Sequence, residues 1–295
     1  MKLKLIKSGE KQRTIKSSFR FKGISLFSGE NVSMLCEPGG ENTGINFNYK
    51  GVCIPALIEN IKPMEIHTTA LSSQGVDIST IEHFMAAVWG LGIDNLKVTL
   101  SHNIIPAQDG SAERFVKAFL KIGSIDQKEN RKVIEFHDPV TLTQPEFANR
   151  FVKIEPNDTL LINCSAPFPN IIGKHSVIFS DNPKQFADEI SWARTFLRSS
   201  LDLNDLSKWN GIRTVFKSLP EDPKKSPIIT YTDTEFLTPL KKEDEPARHK
   251  LLDFIGDLAL IGYRVHAKIT INEPGHKFTH LIAQEISKAL GNSSI

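Results

Sequence analysis

The sequence predicts an α+β fold: two similar layered α/β sandwich domains, a duplicated unit, with the active site between them. Three observations carry this expectation. Both halves of the 295-residue chain close on one pattern: helix, glycine, alternating strand, glycine turn, helix, glycine. Short strand-like runs precede that pattern in each half, as expected where helices are laid on antiparallel sheet. A histidine stands near the start of the first helix of each closing pattern, His83 and His249, so a pseudo-twofold pairing would bring both to one cleft. The length suits about two domains.

In chain order, residues 14–23 alternate as a strand with Ile15, Phe19 and Phe21 as apolar points. Residues 31–37 and 45–56 are further strands around the turn-rich PGGENTG, and 68–71 is another candidate. Residues 81–91 predict a helix, with Ser79 and Glu82 in a capping box and Gly90 and Gly92 at its end. Residues 95–100 alternate Leu96, Val98 and Leu100 against Lys97 and Thr99. The turn IIPAQDGS leads to a helix over 112–121, stopped by Gly123. The polar stretch 124–131 marks the boundary, giving a first domain over 11–123 and a second over 131–291. The second has strands at 132–136, 151–154, 159–164 and 175–179, and a helix over 183–196. An irregular surface insert follows at 197–230, then a helix over 245–261, a strand over 264–271 and a helix over 277–290.

Composition narrows the function classes. With 36 basic and 34 acidic residues the net charge is +2, which argues against a nucleic-acid partner. Cys36, Cys53 and Cys164 are scattered without a C-x-x-C, as in a reducing compartment. The basic start MKLKLIKSGEKQR has no apolar core of a secretory signal, and no run of 18 apolar residues exists. The expectation is a soluble cytoplasmic protein.

The chemistry concentrates in EPARHKLLDFIGDLALI, residues 245–261, where His249, Asp253 and Asp257 recur every fourth position. On a helix they form one stripe, and Leu251, Phe254, Ile255 and Leu258 the opposite, buried face. A His and an Asp at i,i+4 reach one metal ion; a solvated carboxylate face is the competing reading. Adding His83 makes a two-His, one-carboxylate set with an open fourth position, the composition of a catalytic zinc site. Glu82 is then either a general base or a cap. His276 and His280, in GHKFTH, form a rival i,i+4 metal pair, although a zincin has Glu where Lys277 stands. His276 follows a strand and a turn at a helix start, which also suits an acid, and His280 reads as partly packed. His67, His102, His137, His175 and His266 belong to no constellation.

The ordered motifs STIEHFMAA, GLGIDN, IPAQDGS, ARTF, EPARHKLLDFIGDL and PGH resemble those of the UDP-3-O-acyl-N-acetylglucosamine deacetylases, zinc amidases of lipid A synthesis in Gram-negative bacteria. The resemblance spans nearly the whole chain and implies two α+β domains. It implies zinc, or ferrous iron in its place, on His83, His249 and Asp253. Glu82 takes the position of the general base, and His276 that of the acid, with Asp257 as its partner. Thr195 falls where the oxyanion is supported, and Lys250 and Phe196 where substrate binds. The implied substrate is a glycolipid nucleotide, with at most transient contact with a membrane surface, its acyl chain held in a passage built by the second-domain insert. Three departures stand out: Phe27 in GISLFSGE replaces a histidine, a Gly-Gly-Ser segment after ARTF is missing, and so is an asparagine after GH. An inactive binding protein on the same scaffold is the alternative.

Overall fold

The computed structural model describes residues 1–63, 68–107, 109–147, 149–168, 173–198, 207–232 and 234–292. His67 and residues 199–206 of the expected insert lie outside them. The helices among the described residues are α1 (Glu82–Gly90), α2 (Glu113–Ile122), α3 (Pro183–Gln185), α4 (Ser207–Val215), α5 (Glu245–Leu258) and α6 (His276–Asn292).

The duplication is written in the strand order. In the first sheet the strand Leu96–Leu100 lies between Asn31–Pro38, antiparallel, and Ile45–Tyr49, parallel; Phe19–Ile24 and Val52–Pro55 flank them. In the second, Arg264–Asn272 lies between Phe151–Pro156, antiparallel, and Leu160–Pro167, parallel, with Val140–Thr143 and Lys174–Phe179 outside. Each central strand connects the two long helices of its half, α1 and α2 or α5 and α6. Their alternation fixes the register. Leu96, Val98 and Leu100 face inward in one sheet, and Val265, Ala267, Ile269 and Ile271 in the other. A one-residue slip would turn each set to the wrong face, at about 1.5–3 kcal/mol per large side chain.

Helix α1 is buried along its whole length and packs on α5. The close approach depends on Gly256. A Cβ there would stand 2.1 Å from the Glu82 carbonyl oxygen. At the other end of α1, a Cβ on Gly90 would meet the Phe186 ring at 2.4 Å. The two helices that carry His83 and the His249 stripe are thus in backbone contact.

Several elements differ from the sequence reading. Residues 3–15 form a long strand, Leu3–Ile15, paired antiparallel with Ser124–Phe136, so the polar stretch 124–131 is strand. A ribbon needs backbone partners more than apolar side chains, and here polar side chains add bonds of their own: Lys11 Nζ donates to the Lys128 carbonyl at 2.7 Å, and Gln12 Nε2 to the Asn130 carbonyl at 3.1 Å. The helix expected over 183–196 ends after a π turn, Phe186–Ile190. Thr195 precedes a short strand, Phe196–Arg198, that pairs parallel with Ile229–Tyr231. The insert is not irregular where described, because it holds α4. The capping box is also overturned: α1 starts at Glu82 with Ile81 as its N-cap and no side-chain cap.

Candidate active site

Positive φ and lack of bulk at Gly110 set the first wall of the site. A Cβ there would lie 2.3 Å from Thr195 Cγ2, and the Thr195 N–H donates to the Gly110 carbonyl at 2.8 Å. The motif IPAQDGS thereby seats ARTF. From the other side, Arg194 makes a two-pronged ion pair with the fully buried Glu245, Nε to Oε1 at 2.8 Å and Nη2 to Oε2 at 3.1 Å. Such a fork fixes direction as well as distance. It ties the ARTF turn to the first turn of α5, one helical turn before His249.

That tie orients the imidazole. His249 Nδ1–H donates to the Ala193 carbonyl at 3.1 Å, leaving the Nε2 lone pair free. Burial pushes the His249 pKa down from 6.5 to about 3, so the ring is neutral. His249 Nε2 lies 3.3 Å from Asp253 Oδ1, and His83 Nε2, across the helix interface, lies 3.4 Å from the same oxygen. All three side chains are buried, which overturns the solvated-face reading. Asp253 Oδ1 is buried without a hydrogen-bond partner, and Lys250 Nζ donates to Oδ2 at 3.1 Å. Ligand atoms about 2.0–2.2 Å from one tetrahedral ion sit about 3.3–3.5 Å apart. Both nitrogens stand at that spacing from Asp253 Oδ1, and the cluster has that donor set and an acceptor with nothing to accept, so a divalent cation fits it.

A second cluster of two histidines and one aspartate, Asp257, His276 and His280, stands beside it. Here no acceptor is idle. His276 Nδ1–H donates to Asp257 Oδ2 at 2.8 Å, and Thr279 Oγ1 donates to the same oxygen. The Thr69 hydroxyl donates to Asp257 Oδ1 at 2.6 Å and lies 3.1 Å from His280 Nε2. A hydroxyl stands where an ion would have to be, so the rival His276–His280 metal pair is not supported. Burial disfavours a charge on His276, but Asp257 and Asp253 outweigh it and raise its pKa from 6.5 to about 9. Burial likewise opposes ionisation of Asp257, and the two imidazoles hold it well below the usual carboxylate range. His276 is therefore an imidazolium at neutral pH, with Nε2 3.9 Å from Asp253 Oδ2.

The Glu82 carboxylate is held by a neighbouring loop. It accepts from Thr68 Oγ1 at 3.0 and 3.2 Å and from the Thr69 N–H at 3.0 Å. These bonds, not a cap, account for its position.

A cavity of about 420 Å³ collects these groups. Glu82, His83, Thr195, Phe196, His249, Lys250, Asp253 and His276 all line it; Asp257 stands behind His276. Lys250 Nζ lies 5.2 Å from the centre of the Phe196 ring, so the two form one wall. The sequence reading missed Leu197 and Tyr231, which also line the cavity, and Thr68 and Thr69. Thr69 lies 188 positions from Asp257, and a threonine in a strand-like run carries no signal of such a partner. Phe27, in place of the expected histidine, stacks on Phe216 of the insert with ring centroids 5.1 Å apart.

A sequence model of the UDP-3-O-acyl N-acetylglycosamine deacetylase family matches residues 12–288. The chain belongs to this family. Among the relatives of the deacetylase family, a protein of Nitratiruptor sp. named UDP-3-O-acyl-N-acetylglucosamine deacetylase is 33% identical over 290 residues, covering 97% of this chain and 93% of its own length. Proteins of the same name from Campylobacter jejuni and Helicobacter pylori are 31% identical over 288 residues and 32% identical over 281. Each alignment covers 94% of this chain and over 90% of the relative. The chain thus spans nearly the full length of these deacetylases.

Proposed function

We propose that this protein removes the acetyl group from UDP-3-O-((R)-3-hydroxyacyl)-N-acetylglucosamine, a step of lipid A biosynthesis, as a zinc-dependent amidase of the cytoplasm. The observation that carries the reading is the single cavity faced by an open two-His, one-Asp cluster, a held carboxylate and a cationic imidazole. His83, His249 and Asp253 would hold zinc, or ferrous iron, and the ion would supply Lewis-acid polarisation of the amide carbonyl and a lowered water pKa.

The rest is done by side chains. Glu82 takes the proton of the attacking water; both its oxygens already have donors, so the carboxylate is aimed before substrate arrives. The Thr195 hydroxyl stands at the cavity wall, where it donates to the developing oxyanion. His276, protonated and pinned by Asp257, gives its Nε2 proton to the departing nitrogen, which otherwise leaves as an amide anion. Lys250 and Phe196 offer a charge and an apolar ring to the glycolipid nucleotide. In this reading residues 11–123 contribute Glu82 and His83, and residues 131–291 the other catalytic and substrate residues named here. No helix of the described residues is long and apolar enough to cross a membrane.

The test is metal content and acetate release from that nucleotide sugar. We expect about one divalent ion per chain and stoichiometric acetate. A metal-replete protein that releases no acetate would overturn the reading and leave the inactive binding protein in its place.

A further inference from the structure

Asp257 holds more partners than a one-to-one pairing with His276 requires. Its carboxylate is fully buried, and each oxygen has two neighbours. Oδ2 accepts from His276 Nδ1–H and from Thr279. Oδ1 accepts from the Thr69 hydroxyl at 2.6 Å, with His280 Nε2 at 3.3 Å. His280 Nε2 is closer to Thr69 Oγ1, at 3.1 Å, than to the carboxylate. The hydroxyl has one proton, committed to Asp257, so towards His280, and towards His276 Nδ1, which is also 3.1 Å away, it can only accept. The proton order follows: His280 Nε2–H donates to Thr69 Oγ1, and Thr69 Oγ1–H donates to Asp257 Oδ1. Each bond polarises the next.

A carboxylate held by one oxygen only can rotate about its last bond and carry that oxygen out of the plane of its partner. Here the second oxygen is fixed by a residue that is itself fixed. The Thr69 N–H donates to Glu82 Oε2 at 3.0 Å, and its carbonyl accepts from Ile81 N–H at 3.2 Å, at the start of α1. His280 lies one turn along α6 from His276, and the two rings are 5.9 Å apart between centroids. Thr69 therefore links two groups of the site, the Glu82 carboxylate and the Asp257–His276 pair.

We propose that the Thr69 hydroxyl and the His280 imidazole form a brace that fixes the Asp257 carboxylate against His276, making both of them positioning residues of this site. The inference rests on the deacetylase reading for its kinetic consequence, but the brace itself has a readout that does not need turnover. The Nδ1–H proton of His276, bonded to a buried carboxylate, should appear as a separate low-field imidazole resonance in a protein labelled with ¹⁵N-histidine.

The experiment compares His280→Leu, His280→Gln and Thr69→Val with the parent. Gln places an amide N–H near the position of the imidazole Nε2–H; Leu and Val keep bulk and remove the donor. We expect His280→Leu and Thr69→Val to shift or broaden the His276 resonance and to lower kcat about tenfold, with KM changed less than twofold. His280→Gln should recover kcat to within about threefold and restore the resonance. An unchanged resonance with unchanged kcat in His280→Leu overturns the brace, as does a Gln variant no better than Leu. If the parent releases no acetate, the resonance arm decides alone: a shift in Leu and recovery in Gln keep the brace while the deacetylase reading falls. Should Leu and Val merely unfold the protein, the Gln variant still decides, because it must be folded with the parent's resonance.

Discussion

Two clusters with the same inventory, two histidines and one aspartate, lie side by side and are bonded differently. In His83, His249 and Asp253 the carboxylate oxygen nearest both rings has no donor. In Asp257, His276 and His280 every such oxygen has one, and the Thr69 hydroxyl occupies the middle. The difference is one proton-bearing oxygen. Where it is missing, the two nitrogens and the oxygen converge as the ligands of a cation would. Where it is present, the same groups close into a hydrogen-bonded network. Ligand type and count therefore do not separate the two clusters; the idle acceptor does.

The comparison breaks most sharply at Gly256. A Cβ 2.1 Å from the Glu82 carbonyl oxygen must force α1 and α5 apart, carrying His83 away from Asp253. Gly256→Ala should abolish metal retention and activity and lower the melting temperature; a variant that keeps stoichiometric metal would show that the interface yields without cost. Asp253→Ala should strip the metal and the activity together with little change in fold, since two protein ligands hold zinc poorly.

The second cluster should respond in the opposite way. His276→Ala is expected to keep its metal and lose about 10²–10⁴-fold in rate, the usual worth of a placed acid. Loss of metal in that variant would reverse the assignment of the two clusters. Glu82→Gln should retain metal and fold, because α1 has no side-chain cap to lose, yet fall at least about 10²-fold in acetate release. Turnover at the parent rate would place the base elsewhere.

The smallest effect is one of pH. The folded pKa of His276, about 9, lies above its ordinary 6.5. Its ion pair with Asp257 thus contributes stability in full below pH 6.5, and loses it as pH rises through about 9. The alkaline limb of kcat/KM should fall over the same range. A melting temperature that is flat from pH 7 to about 10 in the metal-replete protein would contradict the cationic assignment.

What the sequence determined by itself is whatever depends on neighbours along the chain. The stripe His249, Asp253 and Asp257 follows from helical spacing, as does the alternation of 264–271. The repeated closing pattern of the two halves follows from counting glycines and periods, and the paired sheet orders bear it out. The family was legible from ordered motifs. Contacts made across the fold were not. That Glu82 is held by Thr68 and Thr69, that residues 3–15 pair with 124–136, and that Thr69 reaches Asp257 are decided by tertiary packing. Local rules even misled at Glu82, whose S-x-x-E spacing suits a cap that the helix does not use. The physical reason is range: periodicity reports which face of an element is buried, whereas the donor that meets a buried carboxylate comes from whichever strand or loop the tertiary fold brings there.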